Sequence, residues 1–162
     1  MKKKAREDPL HVLWAGDPHA IEKLLGEKGL DLDRHDAQGR TLLMEAVLEK
    51  RLDLVTLLLS HGADPRRHDL EGWTALHFAA QAQLPDIVQA LLDKGAEVDA
   101  KDNLAETPLF KALSSYRGQA DGNAIWALLL TGADRSVKNS HGVSPEDLAK
   151  RPSNYDLGQF LA

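Results

Sequence analysis

The chain has 162 residues, 43% hydrophobic and 28% charged, with a formal net charge of −5. That is enough for one domain with a real core, and too apolar for a disordered chain. The lack of cysteine excludes disulfide frameworks, thiolate zinc sites and a cysteine nucleophile, and suits a reducing cytosol, while the acidic balance argues against a general phosphate-binding surface.

At the N terminus, Met1-Lys2-Lys3-Lys4 is followed by Arg6, Glu7, Asp8 and Pro9 instead of the apolar run of a secretory signal. The lysine triplet reads as a solvated terminus. No stretch approaches the roughly 20 apolar residues that cross a bilayer. The expectation is a soluble, cytoplasmic protein.

An internal repeat follows. Gly39-Arg40-Thr41-Leu42-Leu43 returns as Gly72-Trp73-Thr74-Ala75-Leu76, then as Ala105-Glu106-Thr107-Pro108-Leu109, and in worn form as Gly142-Val143-Ser144-Pro145-Glu146. Their displacements are 33, 33 and 37 residues. A second marker, Gly29-Leu30-Asp31, Gly62-Ala63-Asp64, Gly95-Ala96-Glu97 and Gly132-Ala133-Asp134, keeps the same irregular spacing. Between the markers, Leu43, Ala46, Val47 and then Leu76, Ala79, Ala80 form the i, i+3, i+4 stripe of a short amphipathic helix. A more continuously apolar second helix is predicted over Leu54–Leu59, with counterparts at Ile87–Leu92 and Ile125–Leu130. Gly62, Gly95 and Gly132 supply the left-handed residue that ends it. Thr41, Thr74 and Thr107 stand where a hydroxyl caps the first helix, and Pro108 suits a first helical turn.

These residues resemble the ankyrin repeat, a β-turn followed by two helices with T-P-L-H-x-A near its start. Thr74-Ala75-Leu76-His77-Phe78-Ala79 departs at Ala75, and Thr107-Pro108-Leu109-Phe110-Lys111-Ala112 lacks only the histidine. Asp8-Pro9-Leu10-His11 is a degenerate first copy, and Trp14 beside it reads as core. The resemblance implies an all-α solenoid of helix-turn-helix units joined by β-turn or hairpin loops. It would be a single domain over 1–162: an N-terminal capping repeat (5–35), repeats 36–68, 69–101 and 102–138, and a C-terminal cap (139–162) closed by Leu148, Tyr155, Leu157, Phe160 and Leu161.

In a solenoid the shared residues hold the stack, so function belongs where the copies differ. The resemblance implies binding through the turn tips and the exposed side of the first helices, which form one concave surface. The candidate contacts are Arg40, Leu70, Glu71, Trp73, Gln81, Asn103, Leu104, Glu106, Ser115, Tyr116 and Arg117. Leu48-Glu49, Ala82 and Ser114 are exposed beside them, and His35, His68 and Lys101 line the rim. Trp73, on a turn tip beside Leu70, reads as an interface anchor whose loss should leave folding nearly intact. The alternative is a ring folded onto the neighbouring turn. Trp126, on the outer side of its helix, is expected to pack against the adjacent insertion. That insertion, around Ser114–Asn123, adds four residues, reads as a loop after a slightly extended first helix, and brings Tyr116 and Arg117 to the surface. A neutral surface loop is the alternative.

No motif of hydrolase, phosphate-loop, zinc-protease or dinucleotide type occurs. His77 occupies the motif histidine, which should bond to a neighbouring turn. His61 is placed to meet helix-end carbonyls. His35-Asp36 and His68-Asp69 recur a repeat apart without the short spacing of a zinc site, so the aspartates read as turn residues. No catalytic residue, metal or cofactor is expected. The expected partner is another protein, such as a basic toxin or enzyme, with neither nucleic acid nor membrane involved and a monomer when free. Small free-standing ankyrin proteins resembling this one include immunity proteins to toxins, which suggests an inhibitor. The alternative is an adaptor that docks its partner without blocking it.

Overall fold

The computed structural model describes residues 23, 25, 31–118, 123–151 and 157–161. Over these the chain runs through α1 (Leu42–Leu48), α2 (Leu52–Ser60), α3 (Ala75–Gln81), α4 (Pro85–Asp93), α5 (Pro108–Ser115), α6 (Asn123–Leu130), α7 (Pro145–Ala149) and α8 (Gly158–Leu161). Among the described residues there is no strand, only the isolated bridges His35–Thr41 and His68–Thr74 at the bases of two hairpins. The expected copy at Asp8–His11, Trp14, most of the N-terminal cap, Tyr155 and the centre of the insertion lie outside the described residues.

Each helix forms where the periodicity puts it. In α1 the buried side chains are Leu42, Leu43, Met44, Ala46 and Val47, and in α2 they are Leu54, Val55, Leu58 and Leu59. Thr41 and Thr107 accept bonds from the backbone N–H of Met44 and Phe110, and Ser144 with Asp147 makes a reciprocal capping box on α7. After α2, Gly62 adopts φ +93° and the N–H of Ala63 reaches back to the Leu58 carbonyl, turning the chain away from the helix. The His61 ring stands 2.9 Å from the Leu57 carbonyl, as its place beside Gly62 predicts.

First helices pack on first helices (α1 on α3, α3 on α5, α5 on α7), and second helices on second helices (α2 on α4, α4 on α6). Small residues on the first row, Ala46, Ala79, Ala80 and Ala112, let neighbouring helices approach, and Val47, Val55, Leu58, Leu76, Val88, Leu91, Leu109, Ile125 and Leu128 fill the layer between rows. Trimming one of the fully buried leucines, such as Leu58, to Ala would cost about 3 kcal/mol. Among the described C-terminal residues, Leu157 and Phe160 are buried against this core and Leu148 and Leu161 half-buried.

The hairpins add a third row. In each, a carboxylate or amide at the turn's first position ties the loop: Asp36, Asp69, Asp102 and Asn139 each accept two backbone N–H groups through Oδ1, at 2.8–3.0 Å. One backbone bond links each tip to the next: Leu70 N–H to the Gln38 carbonyl, Asn103 N–H to Glu71, Ser140 N–H to Leu104. Close approach explains the turn glycine. A Cβ on Gly72, at φ +79°, would lie 2.8 Å from the Asn103 nitrogen. The third hairpin holds Ala105 at φ +57° instead, a left-handed conformation that costs a non-glycine residue about 1 kcal/mol.

Candidate functional site

The face built by the hairpins and the first helices is where the repeats differ chemically. Each first helix starts at a Thr cap. The residue before the cap and the fourth residue of the helix are placed to touch, the geometry of a hydrophobic staple. In the first repeat the pair is ionic: Arg40 Nε stands 3.1 Å from Glu45 Oε1, and Arg40 Nη2 3.2 Å from Asp36. In the second it is aromatic, Trp73 on Phe78, with ring centroids 4.9 Å apart. In the third it is ionic with the signs reversed, Glu106 on Lys111.

Lys111 is the unexpected residue. Its side chain is 9% exposed, with Nζ 2.8 Å from Asp102 Oδ2, bonded to Glu106 Oε2, and 4.4 Å from the centroid of the Trp73 ring. The other Glu106 oxygen accepts from Asn139 Nδ2 at 3.0 Å. One buried ammonium thus joins two carboxylates and an indole face across two repeats, the pairing a buried charge requires. Burial opposes charge on Asp102, but the Lys111 ammonium and the turn N–H groups hold its carboxyl below the usual value. Glu45 goes the other way. Burial raises its carboxyl, and Oε1 has no hydrogen-bond donor despite the nearby Arg40.

His77 is fully buried. Its Nδ1 accepts from the Thr74 N–H at 3.1 Å and lies 2.9 Å from the Thr74 hydroxyl, so the neutral ring donates from Nε2 to the Glu106 carbonyl, at 3.0 Å. This is the bond to a neighbouring turn that the sequence predicts. Burial depresses the imidazole pKa and keeps the ring neutral.

The candidate contacts divide. Leu70 (69% exposed), Leu104 (47%), Glu71, Asn103, Gln81 and Arg117 lie at the surface. Asn103 donates its side-chain amide to the Leu70 carbonyl, and Arg117 donates to the carbonyls of Ser114 and Tyr116. Ser115 is half-buried and meets Gln83, whose amide also reaches the Ala112 carbonyl. Arg40 and Glu106 are half-buried in their ionic staples. Trp73 is half-buried too, its ring committed to Phe78, His77 (centroids 5.9 Å apart) and Lys111. The ring therefore packs on its own helix and on Lys111 of the next repeat, so its removal is expected to disturb packing, unlike the nearly intact folding that the sequence suggests.

Tyr116 is a correction. Its ring is 8% exposed and packs edge-on against Phe160, 5.2 Å away, because α5 runs only one residue longer than α1 and α3 before turning the tyrosine into the core. Trp126 is 40% exposed and rests on Phe160, at 5.4 Å; the centre of the insertion, its expected neighbour, lies outside the described residues. Sequence reading missed Phe78, Lys111 and Glu45 as parts of the face. The signal was the five-residue step from 40 to 45, 73 to 78 and 106 to 111.

Two recurrences to the ankyrin pattern are now structural: the capped first helices and the hairpin ladder. The family description "ankyrin repeats (3 copies)" matches residues 9–102 and 65–140, most of the chain. The chain belongs to the ankyrin-repeat family. No curated protein matches the sequence. Ankyrin repeats are generally protein–protein interaction modules, and the family is typically non-catalytic. Among the described residues no cluster of His, Asp and Glu is placed to hold a metal, and no helix is long and apolar enough to cross a membrane.

Proposed function

We propose that this ankyrin protein acts as a single domain over residues 1–162 that binds a partner protein through its hairpin tips and first helices, the concave face of the family's stack. The observation that carries the reading is the variation of the staple pair. The hydrogen-bond scheme of the turns is constant, while the side chains at one equivalent place change from Arg–Glu to Trp–Phe to Glu–Lys. Beside them Leu70 and Leu104 stand exposed on successive tips. Exposed leucines around a pre-ordered aromatic pair are the usual material of an interface core. A standard interface covers roughly 800 Å² on each partner, an area suited to three repeats.

The finer reading is an inhibitor or immunity-type protein that neutralises a basic toxin or enzyme. It draws support from the net charge of −5, which speeds encounter with a cationic partner. No catalytic role, metal or cofactor enters it, and the site is taken to work in the cytoplasm on a monomer.

Affinity capture from the source cell, with wild type and Leu70→Arg in parallel, tests the reading. One stoichiometric partner that is lost in the variant is expected. Loss of that partner's activity in the complex supports an inhibitor, and retained activity makes the protein an adaptor. Capture unaffected by Leu70→Arg contradicts binding through this face.

A further inference from the structure

The middle repeat carries an apolar strip that its neighbours lack. It starts at Leu70 on the tip, passes over the half-buried rings of Trp73 and Phe78, and ends at the exposed Ala82, one helical turn beyond Phe78. At the equivalent places the first repeat has Ala37, Arg40, Glu45 and Glu49, and the third has Asn103, Glu106, Lys111 and Ser115. Since α3 packs between α1 and α5, these residues, polar except for Ala37, flank the strip on both sides.

Most carboxylates beside the strip are paired within the fold: Asp36 and Glu45 share Arg40, and Asp102 and Glu106 share the ammonium of Lys111. Lys101 and Arg117 are exposed on the third repeat. Glu49, at the end of α1, is exposed and makes no ion pair among the described residues. Glu71, next to Leu70, is exposed and makes no ion pair among the described residues. The Trp73 ring is already fixed by Phe78 and Lys111, so an incoming side chain meets an ordered wall and orders little on binding.

Resting on the proposed protein-binding role, we infer that the strip takes a linear partner segment in which an apolar side chain is flanked by Lys or Arg. The apolar residue lies along Leu70, Trp73, Phe78 and Ala82, and the cations meet Glu49 on one side and Glu71 at the tip. A nucleic acid fits this match poorly, because it would bring phosphates to Glu49 and Glu71.

Selection of a random peptide library displayed on phage against the full chain tests this, followed by fluorescence-anisotropy titration of the enriched peptides. Enriched peptides should share an apolar residue between basic ones. Their affinity should fall about tenfold or more in Glu49→Lys/Glu71→Lys, where like charges now meet. It should also fall in Leu70→Ser, an exposed position whose change leaves the core untouched. Acidic or uncharged peptides that lose binding in Leu70→Ser but ignore the charge reversal would overturn the cationic segment and leave the binding face standing. Peptides indifferent to Leu70→Ser would overturn the strip and the face together. A library that yields no enrichment would overturn recognition of a linear segment, while capture of a whole folded partner would still uphold the face.

Discussion

The second and third repeats share one backbone scheme and differ in what they place on it. Both have a turn aspartate accepting two N–H groups, a Thr cap, and a tip bonded to its neighbour. The second then carries a glycine in its turn and an aromatic staple, and the third an alanine and an ionic staple. The third's ammonium serves both, since Lys111 neutralises its own carboxylates and covers the neighbour's indole. What is repeated keeps the stack, and what is not repeated makes a local surface. The two are coupled at Trp73, which belongs to both.

The largest way to break this contrast is to remove the shared ammonium. Lys111→Met leaves the nearly inaccessible Asp102 carboxylate without its cation, at an expected cost of about 3 kcal/mol of stability in urea unfolding. A loss below about 1 kcal/mol would mean that the pair is solvated and the two repeats independent. Next comes Trp73→Ala, which removes the aromatic staple and the cation–π contact together. About 2 kcal/mol should be lost, and Trp73→Phe should recover part of it. If Trp73→Ala unfolds at the wild-type midpoint, the ring is not part of the packing.

His77 gives a smaller and pH-dependent effect. Burial depresses its folded pKa below the ordinary histidine value of about 6.5, so as pH falls through that value the unfolded chain takes up a proton that the folded chain refuses. The stability from neutral His77 is present above 6.5 and is lost as pH falls toward the folded pKa, with a slope of up to about 1.4 kcal/mol per pH unit. His77→Gln should flatten that part of the stability–pH curve, and an unchanged slope would assign it to other groups. The smallest effect has the opposite sign. Ala105→Gly should stabilise by about 0.5 kcal/mol, because relief of the left-handed backbone outweighs the added chain entropy. Gly72→Ala at the equivalent place should destabilise, since its Cβ meets the Asn103 backbone.

Much of this architecture was legible from residue spacing. The phase of 33 located the helix pairs, the capping threonines and Gly62, and the motif histidine led directly to the bond from His77 to Glu106. The candidate face was only half legible. Exposure of Leu70 and Leu104 follows from their place on a tip, since a hairpin leaves its central residues outside any layer. Burial of Lys111 follows only in part: the five-residue step from Glu106 marks the staple, but a lysine on a short helix is normally solvated, and spacing does not show that Trp73 of the preceding repeat covers it. Tyr116 misled for a related reason. It sits beside a glycine-containing insertion, and nothing local announces that Phe160, far along the chain, will cover it. Long-range pairing between chemically unlike residues leaves no periodic trace.

The most direct measurement is calorimetric titration of the captured partner against two variants, each placing an arginine at an exposed leucine. Leu70 stands on the middle tip, and Leu130, 84% exposed, lies on the outer row of second helices. Binding through the hairpins and first helices predicts that Leu70→Arg abolishes or sharply weakens binding while Leu130→Arg keeps wild-type affinity, with both variants folded. Loss of binding in Leu130→Arg with full affinity in Leu70→Arg would place the interface on the outer row and contradict the assignment.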